Sequence, residues 1–206
     1  MSNIKQHSVL LLNSSGKQTE SISRKLAAQI VYTLEKHGKA DIVIERDVAS
    51  GLPFVNDEWI SANFTPEDQR SDEQKQILSL SDSLVAELIE ADTLVLGVPI
   101  YNFGVPATFK AWVDMIARVG KTFKYTATGP EGLVADKKVY LIIASGGTPI
   151  GSDIDFASGY VKQALRFVGI TDITIIDAAA VASKGIETVL ESAEQQISEI
   201  DYALSA

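Results

Sequence analysis

Five short apolar runs, at residues 8–12, 41–48, 91–98, 138–144 and 173–176, constrain the fold most strongly. Hydrophobicity within them is continuous, as in Val9-Leu10-Leu11-Leu12, Ile42-Val43-Ile44 and Thr93-Leu94-Val95-Leu96. A strand exposed on one face would alternate, so these strands are buried on both faces, as in a parallel sheet. Helical patterns lie between them. Residues 21–34 place Leu26, Ala27, Ile30, Val31 and Leu34 at helical spacing, with Gly38 as the stop. A long helix is expected from Pro66, with Thr65 as its cap and Glu67 and Asp68 in its first turn. Further helices are expected over 106–119, 153–168 and 185–204, while 51–65 reads as irregular. Strands alternating with helices through right-handed crossovers give an α/β sheet of five parallel strands, order 2-1-3-4-5, with helices on both faces. Residues 121–136 break the rhythm. The alternation of Thr122-Phe123-Lys124-Tyr125-Thr126, followed by Gly129-Pro130-Glu131-Gly132, predicts a small hairpin-like excursion.

A length of 206 residues suits one well-buried domain, 1–206. A net charge of −9 argues against nucleic acid, whose phosphates call for basic residues, and against a basic membrane-surface patch. With no cysteine, thiolate nucleophiles, disulfides and cysteine metal sites are excluded. The polar start and the lack of a long apolar span make a cytoplasmic protein the expectation, with no membrane partner.

In a sheet of this order, ligands bind at the carboxyl ends of the strands, where the order reverses between the first and third. Three loops leave strand ends there. The first, 13–23, carries Ser15, Ser21, Ile22 and Ser23 ahead of a helix, where hydroxyls and free amides make an anion site. Ser21, or Thr19, also reads as a plain N-cap. Lys17 is not at P-loop spacing. The second loop is Pro99-Ile100-Tyr101-Asn102-Phe103-Gly104, closed by Val105-Pro106. It offers two aromatic faces, an amide side chain and a glycine between bracing prolines, which suits a flat, partly polar ring. The alternative is that Tyr101 and Phe103 simply cover the core. The third loop, Ala144-Ser145-Gly146-Gly147, either is a loose turn or lets a flat ring lie against backbone.

Other chemistries fail on particular residues. No Gly-x-Gly-x-x-Gly follows the first strand, and no Gly-x-Ser-x-Gly elbow exists. His7 and His37 lie before a strand and near a helix end, away from any nucleophile. A receiver domain would need an aspartate where Asn13 or Pro99 stands. What remains is a phosphate site and a flat-ring site on one edge, with no metal, which fits flavin mononucleotide. Flavin carries its own redox chemistry, so no catalytic side chain is expected. Lys110 and Asp114, four apart on a helix, read as an ion pair.

The blocks Pro99–Pro106, Phe109-Lys110-Ala111-Trp112-Val113-Asp114, Gly120-Lys121-Thr122-Phe123 and Gly129-Pro130-x-Gly132-Leu133 resemble the FMN-dependent NADH:quinone oxidoreductases, also called FMN-dependent azoreductases. The resemblance implies a flavodoxin-like three-layer sandwich. It implies that Ser15 with Ser21, Ile22 and Ser23 holds the phosphate and ribityl end of FMN. Ile100, Tyr101, Asn102 and Phe103 would contact the ring, and Ala144, Ser145, Gly146 and Gly147 its polar edge. It further implies a homodimer with FMN near the interface. NADH or NADPH would deliver two electrons, passed in ping-pong fashion to a quinone or azo acceptor. An FMN electron carrier of the flavodoxin type, serving protein partners, is the alternative. The chain departs from the family pattern at Ala144-Ser145, where members often carry Ser or Thr and then Arg, and at Ala178-Ala179-Ala180, where many are acidic.

Overall fold

The computed structural model describes residues 6–200. In chain order the elements are β1 (Ser8–Asn13), α1 (Ile22–Lys36), β2 (Ile42–Asp47), α2 (Asp57–Phe64), α3 (Asp72–Glu90), β3 (Thr93–Pro99) and α4 (Ala107–Ile116). There follow β4 (Phe123–Thr126), β5 (Gly129–Gly132), β6 (Lys138–Ala144), α5 (Ser158–Val168), β7 (Ile173–Ala178), α6 (Val181–Lys184) and α7 (Ile186–Ser198). The main sheet runs β2-β1-β3-β6-β7, all parallel, which is the expected order once the excursion strands are numbered separately. The excursion is the antiparallel hairpin β4-β5.

In β1, β3 and β6 continuous hydrophobicity follows from covering both sheet faces; β2, expected to be buried likewise, is an edge strand with no buried residue. Leu10, Leu12, Leu94 and Leu96 pack on one side with Leu84 of α3, Phe109 and Trp112 of α4 and Leu165 of α5. Val9, Leu11, Val95 and Ile142 point to the other side, against Leu26 and Ile30 of α1 and Val189 and Ala193 of α7. The hairpin is pinned by two glycines. A Cβ on Gly132 would lie 2.2 Å from the Gly169 amide, and Gly169 ends α5 in the left-handed conformation at φ 113°.

Several helix boundaries differ from expectation. Residues 51–65 contain α2, started by Asn56, whose side chain accepts from the Trp59 amide at 2.9 Å. Thr65 closes that helix and does not open the next. Pro66 leads only into a 3₁₀ turn, Glu67–Gln69. α3 begins later because Ser71 and Gln74 form a capping box that satisfies two end amides reciprocally. α4 stops at Ile116, where the Thr122 hydroxyl takes over the Ile116 carbonyl at 2.6 Å. α5 starts at Ser158, since Asp155 accepts from the Ala157 and Ser158 amides at 3.0 and 2.9 Å. The expected last helix, 185–204, is α7, ending at Ser198, with its positions 201–204 outside the described residues; the short α6 before it was not expected.

Candidate functional site

β1, β3 and β6 end side by side, so their three loops converge. In the first loop, Ser15 is buried, and its hydroxyl lies 3.3 Å from the Tyr101 hydroxyl, which also accepts from the Gly16 amide at 3.1 Å. Tyr101 therefore ties the first loop to the second. Arg24 braces the same loop by donating at 2.8 Å to the Ser15 carbonyl and at 2.8 Å to Asp47. Burial works to raise the Asp47 carboxyl, but hydrogen bonds from Arg24 and the Ala49 amide prevail and hold it below the ordinary carboxylate range. Ser21 is the N-cap of α1, accepting from the Arg24 amide at 3.4 Å, with the Ser23 hydroxyl 3.3 Å away. Helix start and hydroxyl cluster thus coincide. α1 can approach the sheet this closely because position 97 is glycine. A Cβ there would stand 3.0 Å from Asn13 Oδ1 and 3.3 Å from the Ser23 carbonyl.

The second loop is a two-residue hairpin turn. Tyr101 and Gly104 exchange backbone hydrogen bonds of 2.9 and 3.1 Å around Asn102 (φ 47°) and Phe103 (φ 73°). Both central residues being left-handed is the I′ geometry, tolerable for asparagine and strained for phenylalanine. Such strain is kept where the surroundings enforce it, commonly at functional sites. Here the Phe103 carbonyl accepts from the Phe156 amide at 3.0 Å. Tyr101 and Phe103 are 41% and 52% exposed, so covering the core is not their role.

The third loop is held through Ser145. Its hydroxyl donates to the Thr148 carbonyl at 2.5 Å and accepts from the Ala180 amide at 2.9 Å. The Ser145 side chain is thus spent on structure, which leaves backbone to face the site. A Cβ on Gly146, Gly147 or Gly104 would meet nothing within 4 Å. The space above these glycines is open.

A cavity of about 270 Å³ joins the three loops. Its wall holds Ser15, Ser21, Ile22, Ser23, Pro99, Ile100, Tyr101, Ala144, Ser145 and Gly146. Asn102, Phe103, Gly104 and Gly147, the remaining expected site residues, lie off that wall; Asn102, Phe103 and Gly147 are exposed. Lys17 and Glu20 line it and were not expected. Lys17 offered a weak signal, a cation in a serine-rich loop; Glu20, left-handed at φ 58°, offered none. Hydroxyls, a helix start and a lysine at one end, with Tyr101 and the open Gly146 at the other, fit a phosphate-tailed flat ring. Among the described residues no group of acidic or histidine side chains could hold a metal.

Comparison with known proteins agrees with this geometry. The model of a flavodoxin-like fold family matches residues 7–201. An FMN-dependent NADH:quinone oxidoreductase of Hahella chejuensis is 49% identical over 189 residues, covering 92% of each chain. The chain belongs to the FMN-dependent NADH:quinone oxidoreductase family. A member from a Jannaschia species is 54% identical over 170 residues, 82% of this chain and 86% of its own. An FMN-dependent NADH-azoreductase from Bacillus anthracis, solved in complex with FMN, superposes with a TM-score of 0.85. That structure is 25% identical and covers 97% of this chain and 100% of its own.

Proposed function

We propose that this protein is an FMN-dependent oxidoreductase that takes two electrons from NADH, or NADPH, and delivers them to a quinone, and that it also cleaves azo compounds reductively. The observation that carries this reading is one cavity joining a hydroxyl-lined helix start to Tyr101 of the aromatic turn and the open Gly146. The names of relatives up to 54% identical support it. Bound FMN supplies the redox chemistry. The chain's own residues bind and orient. Ser15, Ser21 and Ser23 donate to the phosphate end, where the dipole of α1 favours negative charge. Lys17 adds a cation beside it. Ile100, Tyr101, Asn102, Phe103 and Gly104 frame the ring, following Pro99. The amides of Gly146 and Gly147, presented beside Ala144 and Ser145, favour negative charge on the ring's polar edge. Half-exposed Tyr101 and Phe103 leave one side open for donor and acceptor in turn, as a ping-pong sequence requires.

The whole chain serves as a single FMN-binding domain working in the cytoplasm, as a homodimer. No described helix is long and apolar enough to cross a membrane. An unpartnered apolar groove between α4 and α5, lined by Val113, Ile116, Ala117, Tyr160, Ala164 and Phe167, supports the dimer. Anaerobic stopped-flow tests the activity. Mixing FMN-loaded protein with NADH alone should bleach the flavin's visible absorbance rapidly, and a quinone should restore it. No bleaching over minutes would instead favour a flavodoxin-type electron carrier.

A further inference from the structure

The FMN phosphate site, as read above, has further space beside it. Ser21, Ile22, Lys17 and Glu20 line the ring cavity and also a second cavity of about 840 Å³, so the two adjoin across these four residues. This second space runs along α1 to the start of α7, and a mononucleotide fits a pocket of that size. Its lining has two characters. At one end stand three cations, Lys17, Arg24 and Lys25, against the single carboxylate of Glu20, in a chain whose net charge is −9. Arg24 is committed to Asp47 and the Ser15 carbonyl, and Lys25 reaches Glu194 at 3.2 Å in an exposed pair that exchanges easily. Lys17 makes no ion pair among the described residues. At the other end Ile186 and Leu190, one turn apart on α7, face the cavity, and Ile186 is 51% exposed. Aliphatic side chains bared in a groove beside clustered cations suit a flat purine carrying a phosphate.

We propose that this second cavity is a subsite for an adenosine phosphate, adjoining the phosphate end of the flavin site. Two molecules used by flavin redox enzymes carry that chemistry. One is FAD, whose adenylate extends from the FMN phosphate, so the site would accept FAD as well as FMN. The other is the nicotinamide donor, whose ADP half would lie here while its nicotinamide reaches the ring. The proposal rests on the phosphate placement given above, and the test separates the two.

The test is calorimetric titration of ADP into the full-length protein, with and without FMN, at low ionic strength. FAD and FMN are each titrated into the flavin-free protein. The variant is Ile186→Glu, whose carboxylate at a helix start is well tolerated and would repel the phosphate and spoil the apolar wall. Lys17→Ala is the second variant. ADP should bind the FMN-loaded protein, with affinity reduced roughly tenfold or more by Ile186→Glu and by added salt. If the source is the donor, Ile186→Glu raises KM for NADH at unchanged kcat and leaves FMN affinity alone. If the source is FAD, FAD binds the flavin-free protein, and Ile186→Glu weakens FAD but not FMN. ADP that fails to bind, together with FAD that fails to bind or ignores Ile186→Glu, would overturn the proposal. FMN that fails to bind would instead overturn the cofactor placement, which the ADP titration without FMN does not depend on.

Discussion

At the scale of single residues, Ser21 and Ser145 show how one hydroxyl can serve fold and site differently. Ser21 caps α1 and lines the phosphate end of the cavity. Aspartate caps a helix as well as serine does. Ser21→Asp should therefore keep the thermal midpoint while placing a carboxylate against the FMN phosphate. FMN affinity, read by flavin fluorescence quenching, should fall roughly tenfold or more. Unchanged affinity would move the phosphate elsewhere. Ser145 is the reverse case, a residue at the site whose side chain works for the fold. Ser145→Ala leaves the buried Ala180 amide without its acceptor, in a residue already left-handed at φ 63°. Urea unfolding should register a loss of about 1–3 kcal/mol, and FMN should bind more weakly because the glycine loop is no longer held. That Ser21 opens a helix was legible in the sequence because helix starts declare themselves locally. The true task of Ser145 was not, since its partner Ala180, 35 residues on, meets it only through folding.

At the scale of elements, the central strands β1, β3 and β6 were legible because burial on both faces leaves an unbroken apolar run, whereas the apolar run of β2 lies at an edge where no residue is buried. The start of α3 was not legible, because Thr65-Pro66-Glu67-Asp68 and Ser71-x-x-Gln74 are both sound helix openings. Tertiary contacts choose between them: the Arg70 guanidinium donates to the Ala62 and Thr65 carbonyls at 3.1 and 3.0 Å and holds the chain extended there. α2 itself was missed because its eight residues bury little beyond Trp59 and Ala62. Its attachment depends on Arg118, which is fully buried and donates to Asn63 at 2.8 Å and Ser81 at 2.6 Å, with Asp82 at 2.9 Å. Burial pulls this guanidinium below the ordinary arginine value, chiefly opposed by Asp82. Arg118→Met strands those partners and should cost about 3–5 kcal/mol in urea unfolding; a cost under about 1 kcal/mol would show that the cluster does not hold α2. Asp136 plays a lighter part between β5 and β7. Hydrogen bonds from the Thr171 side chain (2.6 Å) and amide (2.7 Å) hold its carboxyl below the ordinary carboxylate value. A carboxyl that titrates lower when folded stabilises fully above its unfolded value, about 3.9. That stabilisation is lost as pH falls through the folded value. Asp136→Asn should therefore be less stable than the parent at pH 7, and the gap should close on acidification below about pH 4. A gap that stays constant would assign the loss to geometry alone.

At the scale of the whole molecule, the five-strand order was readable from alternation alone, and it brought three sequence-distant loops to one edge. Which outer face stays uncovered was not readable, because α4 and α5 are each amphipathic and either could have been closed by another segment of the chain. The structure leaves a groove between them lined by Ala117, Ala164 and Phe167, beside the hairpin where Phe123 stacks on Phe167 at 4.5 Å. Tyr160 in this groove has its hydroxyl pushed up to about 12, by burial first and then by Asp114, so it stays neutral at any physiological pH. A neutral, largely aliphatic groove favours burial against a like surface, and a two-fold dimer of the kind proposed would meet itself there at no charge cost. Phe103, Tyr125 and Phe156 are exposed as well, and a dimer that brought a partner over them would shelter the open side of the ring site. Sedimentation velocity at micromolar concentration should then give twice the chain's mass. Ala164→Glu, which sets a charge in the groove without touching the core clusters, should shift the protein to monomer and accelerate FMN loss on dilution. A parent that sediments as a monomer, or an Ala164→Glu variant that remains dimeric, would place the interface elsewhere. A monomeric variant that keeps FMN as tightly as the parent would show that the flavin site is complete within one subunit.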